Sequence, residues 1–438
     1  MRRTTLVLLG ILLLGFLVRV QAVRWNWFMH SDVVGDASVA ASVHRDGHFL
    51  VFPRLETVDP SAYTLPPPSQ GELLKLHGPL LPFLGAGLIV LWGGGSTFAD
   101  GFLALRILTL LGGTLVILLS FLVASRLLDR TAGLAAAAWT AASFVLIDYS
   151  GNGALYTLQG VVYLLWLLVA LSSPSLRCTL LLGVLAGLGY LITFQCILLL
   201  PAGLFVLAMD VRPGKRFLLH AAAFAGVAIL IASLWLIRNA VLFGDPLQGH
   251  AANMRYVYSK AGIDVPPDIL PSISLREKLS LFAGVVGVWL PDNLYYAARK
   301  FFILAPIAFF LFCYGLIDIV FSRERLRRMF PILALITLQI LLDAAWPVWK
   351  FRFFVPLIPP VFLIALEELW HLPITARWRQ AFVGVTFAAI IAVSVLTYRA
   401  TPTHTTYYDG ALTQDPFHGS EEMDYLRTFH LLSPSYAH

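Results

Sequence analysis

The chain has 438 residues, of which 58% are hydrophobic and 13% charged, with a net charge of +6. A water-soluble domain carries about 25% charged residues, so this composition cannot cover a water-facing surface of such size and excludes a soluble enzyme. The mean hydropathy of +0.78 and many separate apolar runs, each near the roughly 20 residues that cross hydrocarbon, predict an all-α polytopic membrane protein rather than a β-barrel of short alternating strands.

The first run, 4–22, follows Arg2 and Arg3. Ending at Val20-Gln21-Ala22, it reads either as a cleavable signal peptide or as a retained first helix. Arg19 interrupts its end and favours retention. Beyond it, residues 36–49 read as a short helix opened by Asp36 and ending near Gly47. Residues 79–92 are apolar but span only about two-thirds of the usual ~20 residues. Further spans are expected at 103–125, 132–147, 156–171, 178–192, 196–209, 217–237, 301–321, 330–342, 353–366 and 381–398, about eleven with the first. A separate run, 273–290, reads as an amphipathic helix lying on the membrane.

Arginine and lysine mark alternate connections: Arg2/Arg3, Arg126/Arg130, Arg177, Arg212/Lys215/Arg216, Arg323/Arg325/Arg327/Arg328 and Arg377/Arg379. The positive-inside rule places these in the cytoplasm, with the N-terminus inside and the C-terminus outside. If 79–92 crossed the membrane, every later basic loop would change sides, so an interfacial or re-entrant helix is expected there. The predicted organisation is a membrane module over 1–398 and a short extracytoplasmic tail over 399–438. Within the module are two long outer loops, 23–102 with its juxtamembrane helices and 239–300. The positive charge is then loop bias and implies no nucleic acid. The three cysteines, Cys178, Cys196 and Cys313, lie in or beside apolar runs and suggest no disulfide framework.

No Walker loop, dinucleotide fingerprint, CxxC pair or HExxH is present. What remains is a set of polar residues at outer helix ends. Asp32 and Asp36 follow the first span. An acid there can deprotonate a hydroxyl or hold a divalent cation such as Mg or Mn, or merely cap a helix. Lys75 and His77 precede Pro79 and can hold a phosphate or snorkel toward headgroups. Arg106 sits among apolar neighbours, where an ionisable group is a functional candidate by default. Asp148 falls in the sequence Asp148-Tyr149-Ser150-Gly151-Asn152, which reads as an outer turn. Arg238 and Arg352 end helices on the side where cations are scarce.

In this order the motifs resemble the GT-C membrane glycosyltransferases, in particular the protein O-mannosyltransferases and lipid A aminoarabinose-type transferases. GDASVAASVHRDGHF is similar to their acidic motif after the first helix, with Asp36 at the essential acid position and Asp32 as fallback. LKLHGPLLP is similar to the Lys/His-Pro-Pro-Leu segment, with Gly78 in place of a proline and either Lys75 or His77 in the polar role. LALRILTLLGG resembles the span bearing Arg106, and IDYSGNGALYTLQ the turn with a second acid, Asp148, without the usual Arg after Ser. SLWLIRNAVLFGDP and KFRFFVPLIPP resemble later outer motifs carrying Arg238 and Arg352.

The resemblance implies an inverting glycosyltransferase that moves a sugar from a polyprenyl-phosphate donor to a lipid, glycan or protein acceptor. Asp36 and Asp148 would be catalytic. Asp32, Lys75, His77, Arg106, Arg238 and Arg352 would bind substrate, with the lipid tail in a groove near 79–92. A bacterial plasma membrane, with the site on the extracytoplasmic face, is the expected location. The alternatives are a lipid-linked sugar transporter or flippase, against which stands the absence of duplicated halves, and a GT-C-like subunit without catalysis.

Overall fold

The computed structural model describes residues 2–25, 31–52, 65, 67–74, 77–211, 213–248, 274–344 and 351–400. Among them fifteen α-helices enclose one continuous apolar core. Helix α1 (Arg2–Trp25) packs on α4 (Phe98–Leu127), α5 (Arg130–Ala142) and α6 (Phe144–Gly151). Helices α2 (Ser31–Asp46) and α3 (Leu80–Trp92) pack on each other and on α4. A two-residue antiparallel ladder, β1 (Leu50–Val51) with β2 (Glu72–Leu73), pairs Leu50 with Leu73 and lies between them in sequence.

The chain continues through α7 (Tyr156–Ala170), α8 (Leu176–Ile192), a 3-10 turn at Phe194–Leu198, α9 (Leu199–Asp210) and α10 (Lys215–Phe243). Then come α11 (Leu275–Leu304), α12 (Pro306–Phe321), α13 (Arg323–Ala344), a 3-10 turn at Phe351–Leu357, α14 (Ile358–His371) and α15 (Ala376–Ala400). Among the described residues five helical stretches are long and apolar enough to cross a membrane, six if the bent pair α5–α6 is one span. The expected runs 156–171, 178–192, 196–209 and 301–321 hold shorter apolar helices, and 330–342 lies within the 22-residue α13.

The glycine pattern explains one tight pairing. Gly183 and Gly187 lie four apart on α8, so both face α10. A Cβ at Gly183 would sit 2.6 Å from the Phe224 carbonyl oxygen, and one at Gly187 would sit 2.9 Å from that of Ala228. Backbones this close are a small-xxx-small contact, which gains van der Waals packing where apolar lipid gives no driving force.

Five expectations are corrected. Asp36 does not open its helix: α2 starts at Ser31 and places Asp36 in its second turn, so a helix-cap role fails. Asp148 is not in a turn but buried within α6. The run 132–147 is two helices bent by 60°, because Ser143 takes an extended backbone (φ −67°, ψ 116°). The run 301–321 breaks at Ala305, since Pro306 has no N–H for a continuing helix and disfavours helical geometry in the residue before it. Residues 273–290 do not end a surface helix; α11 carries on through Pro291 to Leu304.

Contacts sort the connections into two ends. At one, Arg126 donates to the Leu171 carbonyl and Trp370 to Asp129. There Arg325 also bridges Asp318, Glu367 and Glu368. The other end gathers the candidate functional residues.

Candidate functional site

The site starts from α2. Its small residues Ala37, Ala40 and Ala41 are wholly buried, which lets α2 lie directly on its neighbours. A Cβ at Gly101, near the start of α4, would stand 2.1 Å from the Ala37 carbonyl oxygen. A Cβ at Gly153 would meet Val33 at 3.1 Å and the Arg106 side chain at 3.5 Å. Asp36 is thereby held beside the start of α4 and the 151–153 connection. It is 2% exposed.

His77 reaches it across the chain, with its Nδ1 2.8 Å from Asp36 Oδ1. The imidazole keeps 23% of its surface open where the carboxylate keeps 3%. The neighbouring atoms show what holds His77 there. A Cβ at Gly78 would stand 2.3 Å from the Leu191 carbonyl oxygen and 2.7 Å from Ile192, at the end of α8. On the other side of the segment, Arg238 of α10 donates to the Leu74 carbonyl at 2.8 Å. Its guanidinium lies over Trp235 at 4.1 Å and donates to Asn239 Oδ1. The strand leading to His77 is thus pinned by α10 at Leu74 and by α8 at Gly78. A glycine at 78 is what the close approach of α8 requires.

Arg106, 3% exposed, donates from Nε to the Gly151 carbonyl at 2.8 Å and lies over Phe102. Thr109 donates to the Ser150 carbonyl. α4 therefore grips the end of α6 through two consecutive carbonyls, and α6 carries Asp148. From there aromatic rings run edge to face from Tyr149 to Tyr156 and on to Phe353. Beside them lies Arg352, buried, with its guanidinium over Phe353.

Asp36 and His77 are thus in direct contact, Arg106 is joined to the α6 end, and Arg238 to the strand before His77. Arg352 adjoins the ring series at Phe353. Lys75 lies outside the described residues, as does the side chain of Asp32. A divalent cation needs several oxygen ligands at about 2.0–2.6 Å. Among the described residues no three His, Cys, Asp or Glu side chains converge to hold one, and Asp36 already engages His77. The described residues alone do not form such a site, and no step is routed through one.

Two features escaped the sequence reading. A buried chain runs from Gln159 to Tyr163 to Gln339, which donates to Asp343 at 2.6 Å. The signal for it was the acid closing an apolar run. Arg19, noted only as an interruption, is wholly buried in the bundle.

The chain has the fold of the GT-C membrane glycosyltransferases. Residues 78–237 match the family model of the dolichyl-phosphate-mannose-protein mannosyltransferases. The chain is similar to the oligosaccharyltransferase AglB from Archaeoglobus fulgidus, solved with an inhibitory peptide and a dolichol-phosphate. That likeness has a TM-score of 0.53 and 16% identity over 93% of this chain and 55% of that one. It is also similar to ArnT from Cupriavidus metallidurans bound to undecaprenyl phosphate, at a TM-score of 0.50 and 14% identity, over 97% of this chain and 76% of that one. The chain spans little more than half the length of the archaeal protein. A search of the curated proteins returns no match.

Proposed function

We propose that this protein is an inverting glycosyltransferase that takes a sugar from a polyprenyl-phosphate donor and passes it to a lipid, glycan or protein hydroxyl. The observation that carries the reading is the Asp36–His77 pair, 2.8 Å apart and nearly closed to solvent, on a GT-C fold. Relatives of this fold hold dolichol-phosphate and undecaprenyl phosphate, which supports the donor class.

In the proposed step the acceptor oxygen attacks the anomeric carbon from the face opposite the phosphate. Asp36 takes the acceptor's proton as the new C–O bond forms. The old C–O bond breaks with its electron pair on the phosphate oxygen. His77 fixes the rotamer of Asp36, as an orienting partner does for a general base. A lipid phosphate leaves as an anion, so it needs cations rather than an acid. Arg106, Arg238 and Arg352, with Lys75 ahead of His77, are the groups proposed for it. Asp148, on the helix that Arg106 grips, is proposed as a second acid beside the reacting sugar, with Asp32 as the fallback for Asp36.

For the lipid tail we propose a small apolar groove of about 90 Å³ between α8 and α10, lined by Gly187, Tyr190, Leu200, Ala232 and Leu236. It lies two residues from Arg238 along α10, which fits a phosphate at the guanidinium and a chain in the groove. We further propose that the site faces outward from a bacterial plasma membrane and that residues 1–398 form the membrane module. The reading is tested by incubating the protein in nanodiscs with radiolabelled polyprenyl-phosphate sugars, with and without EDTA. Release or transfer of sugar from one donor supports it. Binding without turnover points to a non-catalytic subunit or a transporter, and no binding at all overturns it.

A further inference from the structure

Arg19 lies within an apolar helix, where a cation is costly unless its donors are used. All three nitrogens are used. Nε donates to Ser150 Oγ at 3.1 Å, Nη2 to the Thr140 carbonyl at 3.3 Å, and Nη1 to the Gly15 and Ala141 carbonyls at 3.1 and 3.4 Å.

The choice of acceptors has a reason. A helix leaves its last four carbonyls without intrahelical partners, and α5 ends inside the bundle at Ala142. The first, at Trp139, keeps an ordinary helical bond from the C-cap, and the other three are satisfied from elsewhere. The Trp139 carbonyl takes the Ser143 N–H at 3.1 Å, and the Ala142 carbonyl takes the Ser394 hydroxyl at 2.7 Å. The two between them, at Thr140 and Ala141, take Arg19. The positive charge also faces the negative end of the α5 dipole. The same guanidinium then crosses the bend to Ser150, on the last turn of α6. The next carbonyl, that of Gly151, is the one Arg106 holds at 2.8 Å.

We propose that Arg19 is a positioning residue: it fastens both halves of the bent α5–α6 span and so fixes the α6 end, with Asp148, against Arg106. This rests on the site proposed above.

The test uses the full chain in nanodiscs. Arg19→Met keeps the bulk and leaves the Thr140 and Ala141 carbonyls without their donor, a loss on the order of 1–3 kcal/mol for each buried group. Hydrogen exchange of residues 144–153 is expected to rise at least about tenfold, since local opening tracks lost contacts, while residues 176–192 stay unchanged. Donor turnover is expected to fall at least about tenfold in kcat with KM within about threefold, as for loss of geometry rather than binding. Arg19→Lys is not expected to restore it, because an ammonium cannot span Ser150 and two carbonyls as a planar fork does. Ser150→Ala, which adds no buried charge, serves as the milder variant and is expected to move both readouts in the same direction. Unchanged exchange at 144–153 in Arg19→Met and Ser150→Ala overturns the proposal. So does wild-type kcat in either. Absence of turnover in the wild type would count against the glycosyltransferase reading alone, and the exchange arm would still decide the role of Arg19.

Discussion

Replacing Gly78 by alanine puts a methyl carbon against backbone that cannot rotate aside. The new Cβ would stand 2.3 Å from the Leu191 carbonyl oxygen, and real Cβ contacts essentially never fall below 3.0 Å. The difference of the two is 0.7 Å, so the segment or the end of α8 must shift by at least that much. Overpacking of this kind costs about 1–3 kcal/mol. The adjacent residue is His77, whose bond to Asp36 is 2.8 Å. A shift of that size takes the bond to about the limit at which hydrogen bonds cease. Misplacement on the order of 1 Å can cost about a hundredfold in rate. Gly78→Ala is therefore expected to lower thermal stability by a few degrees and donor turnover by about one to two orders of magnitude. Gly78→Pro is expected to be worse, since its ring adds two further carbons at the same contact. The assay is steady-state transfer from the donor identified in nanodiscs, with melting followed in parallel. A Gly78→Ala protein with wild-type kcat and wild-type melting would refute the reasoning.

Three further outcomes follow from the packing. Gly183→Val on α8 drives a side chain into the Phe224 carbonyl and should destabilise the bundle by about 1–3 kcal/mol, read as a lowered melting temperature. Arg325→Met removes the cation that bonds the buried Glu368, 1% exposed, while Glu367 keeps Arg328. Removing one partner of a buried pair costs about 3–5 kcal/mol, and replacing both acids by glutamine in the same protein should recover much of the loss. At the start of α11, the Ser274 hydroxyl and backbone N–H hold the exposed Glu277 carboxyl below its ordinary value of 4.5. A depressed carboxylate stabilises above its unfolded value and loses that contribution as pH falls. The first turn of α11 should therefore be less protected, relative to the intrinsic exchange rate at each pH, well below 4.5 than well above it, and Ser274→Ala should remove the difference.

The helical runs were legible because an apolar run of hydrocarbon length has no place on a water-facing surface, and each expected run is helical over most of its length. Breaks inside runs were not. Nothing in the composition of 132–147 marks Ser143 as extended, and the bend is stabilised by Arg19 and Ser394, which are distant in sequence. Pro306 did mark its break, but the apolar run around it masked the signal. Asp36 was found by its place after the first helix, whereas its local role was misread: helix α2 starts five residues earlier, over positions with no sharp start signal. The ambiguity between Lys75 and His77 could not be settled from the chain, because the geometry depends on where the end of α8 lies. Gly78 read as a departure from the family pattern, and only the approach of Leu191 and Ile192 gives it a purpose. Asp148 read as a turn from Ser-Gly-Asn chemistry, while tertiary bonds from Arg106 and Thr109 keep it helical and buried.

The most direct test of the catalytic reading is transfer by Asp36→Asn, compared with wild type in nanodiscs at saturating donor. Asparagine keeps the size and can still accept a bond from His77, but it cannot take a proton. The expected result is intact folding and donor binding with kcat reduced by at least about two orders of magnitude, the range that general-base catalysis contributes. Turnover of Asp36→Asn within a few fold of wild type would contradict the assignment of Asp36 as the base.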